Sequence, residues 1–569
     1  MVEVGEHGHL LGLRASMSWG GFRREAREGE GAENKEIEQR LHGGLTMHGA
    51  MVEPKENLQM VDWAAHRTCK SGVVQYRFSA LRDLMTSPAW QQEDLGAPLP
   101  DDRHAISVCL PTWDSVIGYE EGRDKVIKRL RCGYPRFFKH PLVERLFQQA
   151  AKQLAVESER VVIFPDKAAA QRALRFVEKR TGAAARIVSY DGLQALIVPE
   201  PVAPVAMEYW RYTGEIVSSR QAWDVLEGDG LWQYDTTELR ERLAAYGGYQ
   251  AGGVFIYESG MAGVYAVHRA LTGMFAGKKT LQLDFPYVDV LKVQNHFGSG
   301  AVMLNDSQGE SFDEALKRIR EGEFAAVFCE VPSNPLLRSV DLERVHDACR
   351  DGGVPLVVDD TICSVYNVDV SRYADIVTTS LSKWISGKGD VLAGCVQLVE
   401  TSPFYADLLG FFTDDCESGC RLYAADAAVL DENSKGFEAR MSPVNTTSAA
   451  LVEMLLEHPA VDKVWYPSVS TPEAYAQVKR ERGGYGGLVS FTLKNEKKSA
   501  KVYDALELSK GPSLGTEFSL VCPYTLLAHY DELDWAEGCG VPAHLIRVSI
   551  GIEPSEQVLG AFRAALELA

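Results

Sequence analysis

The run Pro355-Leu356-Val357-Val358-Asp359-Asp360-Thr361 is apolar at every position until it ends on two carboxylates. Shortly after it, Asp375-Ile376-Val377-Thr378-Thr379 leads directly into Ser380-Leu381-Ser382-Lys383-Trp384-Ile385-Ser386-Gly387. A strand facing water on one side alternates apolar and polar residues, whereas one apolar throughout is covered on both faces. The same texture recurs outward in Val161-Val162-Ile163-Phe164, Gly253-Val254-Phe255-Ile256-Tyr257 and Ala325-Ala326-Val327-Phe328-Cys329-Glu330-Val331. From about Arg160 such runs alternate with helical stretches, which predicts an α/β fold: a mostly parallel central sheet with helices on both faces. After about Thr401 the pattern shifts to longer helices, Thr447 to Leu456 and Glu556 to Leu568. Between them, Gly487–Thr492 and His544–Ile550 alternate in the manner of a half-exposed sheet, so a smaller C-terminal α+β domain is expected.

The two quoted runs also carry chemistry. An amine delivered by one strand and a carboxylate ending another are the side chains pyridoxal phosphate needs most: one holds its aldehyde carbon, the other keeps its ring nitrogen protonated. Lys383 is favoured over Lys388 because a strand delivers it, with Ser380 and Ser382 on its approach. Lys388, in Gly387-Lys388-Gly389-Asp390, reads as an exposed turn. A carboxylate such as Asp359 at the end of an apolar strand is costly without a cation. Asp360 competes with it, since alternation puts only one of the two on the face of Val357. Tyr257-Glu258-Ser259-Gly260-Met261-Ala262 joins a strand to a helix start, whose free N–H groups suit a phosphate, although Ser-Gly there also serves plain capping. Arg547 is placed to pair with a substrate carboxylate, and Tyr287 to stack on a ring. For either residue alone, a salt bridge or a core position is the commoner role.

The chain has 569 residues and a formal net charge of -20, which argues against a nucleic-acid partner. Eleven cysteines lack any CxxC pair and read as reduced thiols. No apolar run approaches a membrane span, and the first residues resemble neither a secretory signal nor a transit peptide. A cytoplasmic protein with no metal and no membrane partner is expected. Residues 1–104 read as a weakly ordered leader, with Gly20 to Gly44 dense in Arg, Glu and Gly.

In this order the motifs resemble the cystathionine γ-synthase group of the Cys/Met-metabolism pyridoxal phosphate enzymes, and the fungal type most. The resemblance runs from about residue 105 to the C-terminus. It rests on Gly133-Tyr134-Pro135-Arg136-Phe137-Phe138, on Glu330-Val331-Pro332-Ser333-Asn334-Pro335-Leu336-Leu337, on the Lys383 run with Gly389-Asp390-Val391-Leu392-Ala393-Gly394, and on Ile546-Arg547-Val548-Ser549-Ile550-Gly551-Ile552-Glu553. It implies a fold type I transferase with an arm at 105–155 reaching the neighbouring subunit's site. A pyridoxal-phosphate domain would follow at 156–400, containing an insertion at about 156–250, and a C-terminal domain at 401–569. It also implies roles. Lys383 would be the Schiff-base lysine and proton shuttle, Asp359 the partner of the ring nitrogen, and Tyr287 the stacking ring. Ser259, Gly260, Met261, Ser380 and Ser382 would hold the phosphate, with Tyr134 and Arg136 supplied by the adjacent subunit. Asn334, Ser513 and Arg547 would take the substrate carboxylate. At least a homodimer is then required, and tetramers are common in the family.

The reaction implied is γ-replacement on O-acetyl- or O-succinylhomoserine by cysteine, giving cystathionine in transsulfuration and methionine biosynthesis. A γ-lyase, a β-lyase, an O-acylhomoserine sulfhydrylase or a specialised γ-substitution enzyme would carry the same motifs, and a non-catalytic homologue is a further alternative. Three departures from the family pattern stand out: Asp360 where Asn is usual, His140-Pro141 where Asn-Pro is usual, and no Gly-Gly-Thr after Tyr287.

Overall fold

The computed structural model describes Val2–Glu3 and residues 82–228 and 233–569; the expected disorder of Gly20 to Gly44 lies outside these. In chain order the strands are β1 (Val2–Glu3), then β2 (Glu159–Phe164), β3 (Arg186–Tyr190) and β4 (Leu193–Pro199). Next come β5 (Val254–Tyr257), β6 (Thr280–Leu283), β7 (Ala301–Leu304), β8 (Val327–Glu330), β9 (Leu356–Asp359), β10 (Ile376–Thr379) and β11 (Gly394–Leu398). The last five are β12 (Val461–Trp465), β13 (Leu488–Leu493), β14 (Ser509–Lys510), β15 (Leu520–Pro523) and β16 (Ile546–Ser549).

The large sheet has the order β1-β7-β6-β8-β9-β10-β11-β5. Its five inner strands β7, β6, β8, β9 and β10 are parallel, and β11 runs antiparallel to both β10 and β5. Strands of four or five apolar residues are buried on both faces because helices cover each side. Leu342–Gly352 and Gly309–Arg320 bring Val345, Phe312, Leu316 and Ile319 onto one face, while Gly260–Met274 lies against β5, β10 and β11 on the other. Parallel strands all end at the same edge, and open α/β sheets bind ligands at that edge. Here it collects Glu330 at the end of β8, Asp359 at the end of β9, and Ser380 just past β10.

The stretch expected as an insertion holds a small antiparallel sheet, β2-β4-β3, flanked by helices Lys167–Thr181 and Ala203–Thr213. Helix Pro141–Leu154, expected as part of the arm, belongs to this unit: Leu142, Leu146, Phe147 and Ala150 join its core. The unit is not a free-standing appendage. Its core also takes in Met261, Val264 and Tyr265 of helix Gly260–Met274, together with Val290 and Val293 of helix Val288–Phe297.

The C-terminal domain carries the sheet β12-β13-β16-β15-β14. The expectation of a half-exposed sheet is corrected, because every residue of β13 and β16 is buried. One face (Val489, Phe491, Ile546, Val548) packs on helices Phe437–Glu457 and Ser555–Leu566. The polar row on the other face, Ser490, Thr492, Arg547 and Ser549, is buried as well. Alternation there marks a face turned toward a polar interior, not toward solvent. The expected leader is corrected too: residues 82–104 are packed, with Leu84, Ala89, Leu95 and Leu99 buried. The Ala89 N–H donates to Ser509 Oγ (3.0 Å), and the Leu110 N–H to the Lys510 carbonyl (3.0 Å).

Candidate active site

Lys383 follows β10 in a tight turn, with its Nζ 3.3 Å from Ser513 Oγ and 4.5 Å from the centre of the Tyr134 ring. Burial holds its ammonium below the ordinary lysine range; Tyr134 opposes this and Arg547 adds to it. An amine biased toward its neutral form is a better nucleophile and base. Burial pushes the Tyr134 hydroxyl up, but Lys383 and Arg136 outweigh it and leave the phenol below its usual range. Lys388 lies outside this cluster, ion-paired to Glu517 at 2.5 Å.

Asp359 and Asp360 separate as strand alternation requires. Asp359 turns to a small cavity that it lines with Gln282, Glu330 and Thr378. Its oxygens accept from the Thr361 N–H (2.9 Å) and the Thr378 hydroxyl (2.7 Å). Burial raises its pKa and those two bonds oppose the rise; no cation enters the balance. Asp360 points the other way, is 1% exposed, and accepts from the Thr379 hydroxyl at 2.5 Å. Glu330, to which sequence reasoning gave no role, accepts from the backbone N–H of Tyr287 (2.5 Å) and of Asn334 (3.2 Å). Burial, reinforced by Asp359, raises it well above the carboxylate range. It carries the same signature as Asp359, a carboxylate closing an apolar strand, and that signal was available in the sequence. Two neighbouring buried carboxyls without a cation are what a protonated ring nitrogen fits.

Helix Gly260–Met274 starts at the same edge. The N–H groups of Gly260 and Met261 fall in its first turn, where no carbonyl of the helix can reach them. A Cβ on Gly260 would meet Ser380 Cβ at 3.1 Å, so glycine lets Ser380 lie close to the helix start without displacement. The two flanking serines are engaged elsewhere. Ser259 Oγ accepts from the Ala262 N–H and donates to the Gly214 carbonyl (2.9 Å). Ser382 Oγ accepts from the Ala393 N–H (2.9 Å) and donates to its carbonyl (3.2 Å). The structure therefore brings Gly260, Met261 and Ser380 to the cradle, and gives the hydroxyls of Ser259 and Ser382 to capping and to pinning the start of β11.

The arm is placed differently from the expectation: Tyr134 and Arg136 lie against this chain's own Lys383 and Tyr287. Arg136 donates to Asp289 (2.5 Å), to the Tyr287 hydroxyl (2.6 Å) and to the Arg211 carbonyl (2.9 Å). Arg136 is 1% and Asp289 0% exposed. The reason is local: Asp289 offers a buried counter-charge, and Pro141–Leu154 anchors the chain in the small unit immediately afterwards. Asp289 was not singled out from the sequence, because nothing marks it until Arg136 is placed beside it.

The expected substrate-carboxylate set is assembled. Arg547 Nη1 donates to Asn334 Oδ1 (3.3 Å), Nη2 donates to the carbonyls of Pro512 (2.9 Å) and Ser513 (3.3 Å), and the guanidinium lies 4.8 Å from the centre of the Tyr524 ring. Among the described residues no cluster of His, Cys, Asp or Glu is arranged to hold a metal, and no helix is long and apolar enough to cross a membrane.

A parallel α/β domain with a buried lysine and a buried carboxylate at its ligand edge, closed by a second α+β domain, defines a pyridoxal-phosphate enzyme. The chain belongs to the Cys/Met metabolism PLP-dependent enzyme family, whose profile matches residues 235–567. A second profile, fungal trans-sulfuration enzyme, N-terminal domain, matches residues 142–218 and so covers the small sheet. The chain is 31% identical to a cystathionine gamma-synthase of Neurospora crassa, over 84% of this chain and 98% of that one. It is 32% identical to an L-2-amino-4-chloropent-4-enoate dechlorinase/desaturase of Streptantibioticus cattleyicolor, over 83% and 97%. Among solved structures it resembles a cystathionine gamma synthase of Xanthomonas oryzae pv. oryzae in complex with cystathionine, with a TM-score of 0.51 and 27% identity over 58% of this chain and 85% of that one. Pyridoxal phosphate is the cofactor of this family, and the residues described above fit it.

Proposed function

We propose that the protein catalyses γ-replacement on an activated homoserine ester, with cysteine as the incoming nucleophile and cystathionine as product. The reading is carried by one group of contacts: Lys383 against Ser513 and Tyr134, with Arg547 and Asn334 joined behind Ser513. It places a mobile amine beside a carboxylate-binding pair, as an α-amino acid requires. Pyridoxal phosphate, when bound, would supply an electron sink for charge developing at the substrate Cα. Lys383, whose ammonium form burial disfavours, takes the proton from Cα and returns it at the neighbouring carbons. Arg547 and Asn334 hold the substrate carboxylate, which fixes which face of Cα meets Lys383. Asp359 keeps the ring nitrogen charged, Gly260, Met261 and Ser380 receive the phosphate, and Tyr134 steadies the Lys383 amine.

A second reading, γ-chemistry on a different donor or nucleophile, is favoured by the similarity to a dechlorinase/desaturase. The test is product mass analysis of the loaded protein with O-acetylhomoserine and O-succinylhomoserine, offered cysteine and sulfide in competition. Cystathionine in excess of homocysteine supports the replacement reaction. Oxobutyrate and ammonia alone would overturn it in favour of elimination.

A further inference from the structure

Beside the first site lies a second, small cavity, which none of the residues assigned above lines. The chain itself separates the two. Tyr134 and Arg136 turn toward Lys383 and Tyr287 while Pro135 lines the second cavity; Gly260 and Met261 open the helix at the first site while Glu258, two residues before, lines the second. Three polar side chains on its wall are buried and incompletely satisfied. Trp210 is 1% exposed and its Nε1–H has no acceptor; Glu258 is 7% exposed and its Oε2 has no donor; Asp426 is 1% exposed and its Oδ2 has none. The other oxygen of each carboxylate is engaged: Glu258 Oε1 by Arg421 (3.2 Å), Asp426 Oδ1 by Arg220 (3.0 Å). Asp390 also lines the cavity, accepting from Arg220 through its carbonyl (2.7 Å). Three carboxylates thus face one lining guanidinium. Burial pushes Glu258 up to about 7, with Arg421 pulling against it, and raises Asp426 and Asp390 as well.

Unsatisfied buried polar atoms are expensive, and few remain so in a working protein. Two orphan acceptors and one orphan donor around an anionic cavity call for a cation with several donors and one acceptor. We infer that this cavity is a binding site, separate from the active site, for a small primary ammonium compound carrying a hydroxyl or carboxylate oxygen. The ammonium meets Glu258 and Asp426, and the oxygen accepts from Trp210. Among the residues that line it there is no lysine to hold a cofactor, so it is assigned binding and not chemistry. It adjoins the cofactor cradle through Glu258, two residues before Gly260.

The test is calorimetric titration of the pyridoxal-phosphate-loaded protein with ethanolamine, against sodium chloride at equal ionic strength, while the absorption of the bound cofactor is followed. Saturable binding with an unmoved absorption band is expected, because attack on the cofactor itself would shift that band. Glu258→Gln weakens binding about tenfold or more, the loss of a hydrogen bond to a charged group. Trp210→Phe weakens ethanolamine and leaves methylammonium, which offers no acceptor, unchanged. If Glu258→Gln does not fold, Asp426→Asn takes its place. No saturable binding, equal binding by the wild type and every variant, or binding that tracks the absorption shift each overturns the assignment.

Discussion

Lys383, Asp359 and Arg547 each stand where a strand ends or passes the ligand edge, and their chemistry follows from that placement. Lys383→Ala is expected to lower turnover by roughly 10²–10⁴-fold, the usual contribution of a positioned proton-transfer group, in a steady-state assay of the loaded protein. Lys388→Ala, which breaks only the pair with Glu517, should leave turnover near the wild type. Asp360 offers a pH test. Burial lifts it from an ordinary 3.8 to about 7, the Thr379 hydroxyl opposing and Asp359 adding. Between about pH 4 and pH 7 the unfolded chain loses this proton while the folded one keeps it, so stability present at acid pH is lost as pH rises through that window. Asp360→Asn keeps an acceptor for Thr379 and removes the charge. Denaturant midpoints should fall less between pH 4 and 7, with a gain above pH 7 of at most roughly 4 kcal/mol. These positions were legible in the sequence because a charged residue closing an apolar strand is conspicuous. The engagements of Ser259, Ser382 and Asp289 were not, since each depends on a carbonyl or guanidinium brought from a distant segment.

Among the elements, β13 and β16 show how alternation misleads. Polar residues at every second position need not face water: here that face is buried, and its Arg547 reaches Asn334, Pro512 and Ser513. The large parallel sheet was readable because apolar residues on both faces have no such second meaning. The arm is a related case: its motif gives the residues that enter a site but not whose site they enter. Its attachment can be measured. Arg136→Ala removes the hydrogen-bonded cation of the fully buried Asp289 and leaves only Arg211 at 3.9 Å, so it should destabilise the fold by up to about 3–5 kcal/mol in urea unfolding. Arg136→Lys should recover little, because three acceptors arranged around a planar fork do not suit a single ammonium.

At the scale of the whole molecule, Tyr134 and Lys383 meet within one chain. Lys383→Ala and Tyr134→Ala subunits, unfolded together and refolded as a mixture, should therefore show no more activity than either alone. Recovery toward a quarter of wild-type activity would mean that the arm acts between subunits. The small sheet and the C-terminal domain are both tied to this arrangement, the first by its shared core with helix Gly260–Met274, the second by residues 82–116. That last attachment has a consequence for how the protein is made. Ala89 and Leu110 find their partners at Ser509 and Lys510, about 400 residues later in the chain. A ribosome adding roughly 5–20 residues per second needs on the order of 20–80 s to supply them. For that interval Leu99, Val108, Cys109 and Leu110, all fully buried in the finished fold, have no surface to cover them. The newborn chain therefore carries an adhesive leading segment, and chaperone capture of nascent chains should concentrate there until the final fifth has emerged.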